Sequence, residues 1–242
     1  MPISTARRPA TRWAGWWLTA SLTLFGCSIS PQPEPPAEAT PGFQQSMITI
    51  EETADGLRVA GTPGAVTGAG AQLRIYNLEK ADTRADAPVA DDGSFSVDLA
   101  GIAGDDLRLQ VRSDLGISEP LDITGVGVAQ NVVTPLGDCL TIKPRAEVDF
   151  GSVSISDFDV HEVEMVNDCT QDVSLYGLGQ LMGSPGFSFI VSADLAIPQG
   201  ASRSFGIAFA PGRQGEHEDV VILSFENDTE RRPITMRGNG IP

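Results

Sequence analysis

Three cysteines are the side chains of this 242-residue chain best suited to covalent chemistry: Cys27, Cys139 and Cys169. Cys139 begins one strand-like stretch, Cys169 ends the next, and the midpoint between them is residue 154, shortly after a glycine. In an antiparallel pair of strands, residues equidistant from the turn face each other. The spacing therefore predicts a disulfide between Cys139 and Cys169 in an oxidising compartment. The alternative of two reactive free thiols stays open at this point.

Cys27 follows a segment with the pattern of a secretory signal. Arg7, Arg8 and Arg12 precede an apolar run at residues 13–25, which is shorter than the roughly 20 residues that a membrane-spanning helix needs. We therefore predict that residues 1–26 are a signal peptide. The alternative reading of Cys27 is an ordinary cleaved signal in which this cysteine has no role.

The four residues Leu24-Phe25-Gly26-Cys27 resemble the bacterial lipobox. The resemblance implies diacylation of the Cys27 sulfur, cleavage before it and acylation of the new N-terminus, for example with palmitate. Two or more acyl chains give stable membrane anchoring where one does not. Ser28 at the next position is similar to the pattern of lipoproteins sorted to the outer membrane. The predicted location is therefore the outer membrane or the cell surface, by a lipid anchor.

Charge excludes one class of partner. The chain has a formal net charge of -16, and loss of the three arginines in residues 1–26 leaves 13 basic against 32 acidic residues, or -19. Nucleic-acid binding needs a basic surface, so we exclude it.

Residues 27–46 are rich in proline, which favours an extended chain without a core, and we predict a disordered tether that carries the lipidated cysteine. Trp13, Trp16 and Trp17 are all in the predicted signal, so the mature chain lacks a tryptophan platform for sugars.

Residues 47–124 predict the first of two tandem immunoglobulin-like β-sandwiches in an all-β chain. Apolar residues alternate with polar ones, as in Leu107-Arg108-Leu109-Gln110-Val111, which indicates strands with one buried and one wet face. The stretches Val59–Gly64, Asp91–Val97 and Leu107–Val111 resemble bacterial immunoglobulin-like repeats and carboxypeptidase regulatory-like domains. The resemblance implies a spacer or a binding module without catalytic residues.

Residues 125–137 read as a linker, and residues 138–242 predict the second sandwich. Val148-Asp149-Phe150-Gly151-Ser152-Val153 is expected to end a strand at a glycine turn. Together with Ile207–Pro211 and Ile234–Gly240, this segment resembles the choice-of-anchor D and ASH/HYDIN-type immunoglobulin-like family, relatives of the major-sperm-protein sandwich. That resemblance implies an interaction or structural module and supplies no catalytic residues.

Few residues are candidates for catalysis or metal binding. His161 and His217 lack a zinc-binding spacing, and we expect both on wet strand edges. Asp91-Asp92-Gly93-Ser94 offers carboxylates to calcium, but a hairpin turn explains it better. Gly183-Ser184-Pro185-Gly186 does not have the context of a nucleophile elbow, and Asn227-Asp228-Thr229 is a glycosylation pattern expected at a hairpin tip. We predict no enzyme activity, no metal and no cofactor.

The sequence thus predicts a lipid-anchored exported protein that acts as a structural or protein-interaction module of the cell envelope or surface. Its expected partner is an envelope or surface protein, and no small-molecule substrate is expected. The alternative of a different class is an accessory subunit that binds calcium or a glycan through acidic loops.

Overall fold

The computed structural model describes residues 40–68, 70–137, 139–191, 196–226 and 230–242, and all of them belong to one compact unit. The predicted signal peptide, Cys27 and the tether up to residue 39 lie outside this part of the chain. One short 3-10 helix, Gln45–Met47, is present. No helix among the described residues is both long and apolar enough to cross a membrane.

The all-β prediction is confirmed, and the strands form two immunoglobulin-like sandwiches. The first sandwich contains β1 (Gly42–Phe43), β2 (Ile48–Thr53), β3 (Gly56–Gly61), β4 (Val66–Thr67), β5 (Gln72–Asn77), β6 (Arg84–Pro88), β7 (Phe95–Leu99), β8 (Leu107–Ser113), β9 (Gly116–Ile117), β10 (Leu121–Thr124), β11 (Gly127–Val128) and β12 (Gln130–Asn131). The second contains β13 (Leu140–Lys143), β14 (Glu147–Ser154), β15 (Asp159–Asn167), β16 (Val173–Gln180), β17 (Phe187–Ile190), β18 (Ala196–Ile197), β19 (Ser202–Phe209), β20 (Gly215–Phe225) and β21 (Glu230–Ile241).

Four main sheets result, and we number them by their place in the molecule. Sheet 1 has the order β11-β2-β3-β7, and sheet 2 has the order β12-β10-β8-β5-β6 with β9 added to β8. Sheet 3 has the order β14-β21-β20-β16-β18, and sheet 4 has the order β13-β15-β19-β17. Pairing within them is antiparallel except between β14 and β21. A separate two-stranded pair joins β1 to β4.

Period-two alternation explains the two main cores. In sheets 1 and 2 every second residue is buried between the sheets, for example Ile48 and Ile50 against Leu73 and Ile75. Sheets 3 and 4 enclose a second core that includes Phe209, Phe225 and Met236. Burial of one such side chain contributes about 1.5–3 kcal/mol, so each alternating strand is held mainly by its inner face.

The predicted linker and the end of the predicted disordered tether both contain short strands. Residues 127–131 of the predicted linker form β11 and β12. The first pairs with β2 and the second with β10, so this short extended segment adds an edge strand to each sheet of the first sandwich. At the end of the predicted tether, Phe43 packs against the first core while its strand pairs with β4. The apolar side chain of Phe43 gives this segment the packing that the proline-rich part lacks.

The predicted glycine turn at Gly151 is wrong. Gly151 lies inside β14, where a positive φ of 60° accompanies a shift of register between Asp149 and Ser152. Such a bulge bends a strand without ending it. The strand β14 belongs to sheet 3, whereas its neighbours along the chain, β13 and β15, pair with each other in sheet 4.

Candidate interaction site between the two sandwiches

The alternation predicted that the outer face of sheet 2 would be exposed to water. In the structure this face instead lies against sheet 3. Tyr76, Arg108 and Gln110 are each at most 2% exposed. They point away from the first core, and their polar groups reach residues of the second sandwich. Period two therefore identified the two faces correctly, but a second protein layer covers the face that was assigned to water.

Glu218 of β20 is the centre of one half of this junction. Its side chain is 6% exposed and faces three groups of the first sandwich. Arg74 Nη1 lies 2.5 Å from its Oε1, and the Tyr76 hydroxyl and the Arg112 guanidinium also contact the carboxylate. Burial raises the pKa of Tyr76 and lowers the pKa of Arg112. The carboxylate thus offsets positive charge that the junction has removed from water.

The other half of the junction combines polar bonds with apolar contacts. Arg108 makes two bonds of 2.7 and 2.8 Å to Asp122 of its own sandwich, and its Nη1 lies 3.4 Å from the Thr235 hydroxyl of the second. Gln110 donates to Glu147 at 2.9 Å. A third apolar cluster lies between the sandwiches and contains Tyr76, Leu78, Leu181, Val220 and Ile222. These contacts hold the two sandwiches face to face.

A cleft of about 790 Å³ opens beside this junction. Its walls come from both sandwiches and from the connection between them, including Leu78, Leu121, Val132, Ile222 and Pro233 as apolar members. Charged members of both signs accompany them. Among these, Arg231 bonds to Glu79 at 2.5 Å across the two sandwiches, whereas Arg145 is exposed and has no ion pair within the described ranges.

The predicted disulfide between Cys139 and Cys169 is present, with a distance of 4.7 Å between the Cα atoms. The pairing register differs by one residue from the spacing argument, because Leu140 lies opposite Asn167, whereas a midpoint at residue 154 would place it opposite Asp168. Cys139 donates its backbone N–H to Leu136, whose own N–H donates to a carboxylate oxygen of Glu230 at 3.1 Å. The crosslink and these bonds fix the connecting segment that forms one wall of the cleft.

The two histidines have different environments. His161 is exposed beside Asp159, as expected. The expectation for His217 is wrong, because this residue is 3% exposed and its ring packs edge-on against Phe209. Its two ring nitrogens lie 3.0 and 3.1 Å from the carbonyl oxygens of Pro185 and Arg213. His217 therefore joins two loops at one end of the second sandwich.

The remaining candidates serve turns. Ser94 donates its N–H to the Asp92 carboxylate, and bonds from Ser94 lower the pKa of Asp92. The turn connects β6 of sheet 2 to β7 of sheet 1, so it is a corner between sheets and not the predicted hairpin. Ser184 donates its hydroxyl to a backbone carbonyl, and its N–H to the buried Asp219. No group of three or more metal-ligating side chains occurs in the described part of the chain, and Asn227-Asp228-Thr229 lies outside it.

The junction residues were missed by the sequence analysis, although a signal was present. Arg74, Arg108 and Arg112 all fall on the same outward face of β5 and β8. Three arginines on one face are unusual in a chain with only 16 basic residues and 32 acidic ones. Such a cluster in an acidic protein is a reason to look for acidic groups elsewhere in the same chain.

No protein-family model and no curated protein matches this chain. Among solved structures, it is similar to the ASH/PapD-like domain 7 of human CEP192, with 14% identity, a TM-score of 0.37, and coverage of 46% of this chain and 94% of that one. It is similar to a protein of unknown function from Porphyromonas gingivalis W83, with 13% identity, a TM-score of 0.35 and coverage of 83% and 100%. It is also similar to WR4, a member of the C. elegans MSP family, with 7% identity, a TM-score of 0.29 and coverage of 43% and 98%. With such low identities and scores we base no functional argument on these similarities.

Proposed function

We propose that this protein is a non-catalytic interaction module of the cell envelope, held to the membrane by lipid on Cys27. The observation that supports the proposal most is the cleft of about 790 Å³ between two sandwiches that pack as one body. A recognition site needs walls that keep their geometry, since ordering them on binding would cost affinity. The disulfide and the junction supply that rigidity.

The walls of the cleft fit a polypeptide better than a small ligand that is entirely polar or entirely apolar. They combine apolar side chains with exposed Arg145 and with acidic residues such as Glu119. Protein interfaces typically have an apolar centre and a polar rim. The partner is therefore an envelope or surface protein that places a short segment in the cleft. Membership of the choice-of-anchor D family stays a prediction, as does sorting to the outer membrane.

Site-specific photo-cross-linking in cells tests this proposal. A photoreactive residue at Val132 in the cleft is compared with one at Ser96, which is exposed on sheet 1. Both are made in the full chain and in the chain with Cys27→Ser. We expect one envelope protein to be captured from Val132 only, and only when Cys27 is present. Capture of the same protein from both positions, or no capture by the lipidated chain, would refute the proposal.

The alternative of a calcium- or glycan-binding accessory subunit has its own readout. Such a subunit would gain thermal stability by mass action when the ligand is added. A shift of the unfolding temperature on adding calcium, which is absent when Asp91 and Asp92 are replaced by Asn, would favour that alternative.

A further inference from the structure

One long stretch of the second sandwich carries no charge. Residues 173–193 contain no Asp, Glu, Lys, Arg or His, although charged residues make up 20% of the chain. This is the longest uncharged stretch between residues 40 and 242. It includes β16 and β17, and β17 (Phe187–Ile190) is the edge strand of sheet 4.

The free side of β17 can be worked out from its bonds. Gly186 accepts a bond from the N–H of Ala210, on the side of β19, with which β17 pairs. Phe187, one residue further, accepts a long contact of 3.4 Å from the side chain of Gln180. Successive residues of a strand direct their backbone groups to alternate sides. The N–H and C=O groups of Phe189 and Val191 therefore face away from β19, and no other described strand pairs with them.

This edge lacks the features that usually prevent strand pairing. Natural edge strands are protected by charged side chains, prolines or bulges. In the same molecule, edge strand β6 contains Arg84, Asp86 and Pro88, and edge strand β7 contains Asp98 in an ion pair with Arg58. By contrast, β17 contains Phe, Ser, Phe and Ile and pairs along its full length with β19 in regular register.

The face of sheet 4 next to β17 is also apolar. Ile190 is 56% exposed and Val160 of β15 is 39% exposed. Both reach over Gly206 of β19, where an added Cβ would lie 3.2 Å from Val160 and 3.3 Å from Ile190. Val160, Gly206 and Ile190 form an apolar strip across three strands that ends at the free edge. A strand added to β17 would extend this strip.

The charge distribution argues for a second copy of this chain as the occupant. With a net charge of -16, two copies repel each other wherever acidic surfaces meet. Among the described residues, the acidic side chain that strand pairing places beside the strip is Glu162, which lies opposite Gly206 on β15, two strands in from the edge. Across two paired copies, five strand spacings of about 4.8 Å would separate such residues. That separation exceeds the Debye length of about 8 Å at physiological salt.

We propose that β17 pairs with β17 of a second copy about a two-fold axis, which joins the two copies of sheet 4 into one continuous sheet. In this arrangement Phe189 faces the partner's Phe189, and Ser188 faces the partner's Ile190. Isologous pairing of this kind is self-complementary and closes at the dimer. The dimer contact is at the β17 edge of sheet 4, whereas the strand of that sheet that lines the cleft, β13, is at the opposite edge, so the inference does not depend on the proposed function.

Sedimentation of the full chain over a dilution series tests the proposal. We expect twice the monomer mass for the wild type and a shift to monomer for Ser188→Lys, with self-association weakened at least about tenfold, because a charge on the shared edge opposes pairing. Ser96→Lys is the matched control, since Ser96 is an exposed serine on edge strand β7 and its change adds the same charge. That control should sediment as the wild type does.

Three results would overturn the proposal: a wild type that stays monomeric, a Ser188→Lys variant that dimerises like the wild type, or a monomer that binds only an added strand peptide. If the copies associate through the apolar N-terminal segment instead, the Ser188→Lys variant will dimerise like the wild type. If Ser188→Lys fails to fold, a variant with Ser188→Cys and Ile190→Cys replaces it. The predicted pairing places these positions about 4.5 Å apart between copies, within disulfide range, so oxidation should give a covalent dimer. If this double-cysteine variant stays entirely monomeric after oxidation, the proposal is refuted.

Discussion

Replacing Glu218 by Gln tests whether the buried polar contacts hold the two sandwiches together. The change preserves the shape of the side chain but leaves Arg74 and Arg112 facing a neutral amide at a largely buried position. Removing one partner from a buried ion pair costs about 3–5 kcal/mol. The amide retains one acceptor oxygen, and Arg74 keeps its bond to Asp86 at 2.7 Å. We therefore expect a loss of about 3 kcal/mol in the free energy of unfolding.

The matched control lies two residues away on the same strand. Glu216 also faces Arg112, at 3.9 Å, but its side chain is 83% exposed. Exposed pairs contribute about 0–1 kcal/mol, so Glu216→Gln should unfold almost as the wild type does. The measurement is urea unfolding followed by circular dichroism. The loss should appear in the midpoint with little change in slope, provided that the two sandwiches unfold together.

Two outcomes would contradict this reasoning. Equal losses in Glu218→Gln and Glu216→Gln would mean that the effect comes from total charge and not from burial. A loss below about 1 kcal/mol for Glu218→Gln would mean that this carboxylate behaves like a surface group. Adding Arg112→Met to both variants measures the coupling between the two side chains, which should be large only with Glu218.

Three further predictions concern the disulfide, one glycine and one carboxylate. Replacing Cys139 and Cys169 by Ala opens a loop of 30 residues, and chemical denaturation should show a loss of about 3–4 kcal/mol. Gly93→Ala should cost more than 1 kcal/mol, because φ is +83° and the new Cβ would lie 2.2 Å from a carbonyl oxygen; Gly104→Ala, with a φ of +93° but no atom within 4 Å, should cost less in the same assay. Burial raises the pKa of Asp219, so the folded state binds a proton more tightly than the unfolded state, and this residue's contribution to stability falls as the pH rises through that pKa; carbon NMR titration should show a midpoint above that of an ordinary aspartate.

Local patterns were sufficient for the fold class and for the disulfide. Alternation in β5 and β8 depends only on the residues of each strand and on the inner core, so it could be read without knowledge of the rest of the chain. The disulfide predicted from the Cys139–Cys169 spacing is present, although the predicted connection between the two strands was wrong. Leu140 pairs with Asn167, one residue away from the partner that the arithmetic gives, although β14 lies between those strands in the chain and belongs to another sheet.

The alternation of polar and apolar residues does not predict which part of the molecule covers the outer face of a sheet. A polar residue at every second position indicates only that the face is not part of the first core. For Arg108 and Gln110 the second layer is sheet 3, whose matching groups, Thr235 and Glu147, are 127 and 37 residues away in the chain. For His217 the neighbouring residues are acidic, but two backbone carbonyls brought in by separate loops decide its burial. Contacts between distant segments are the information that strand periodicity does not contain.

The position of β21 has a consequence for the order in which the protein can fold during synthesis. Residues 230–241 form an inner strand of sheet 3, flanked by β14 and β20, and contribute Ile234 and Met236 to the core. The same strand carries Thr235 into the junction. A nascent chain that lacks these residues has an open second sandwich and an uncovered sheet 2, whereas the first sandwich already has all its strands. Domains generally fold from the N-terminus as they emerge. The second sandwich can therefore close, and cover sheet 2, only after β21 has been made.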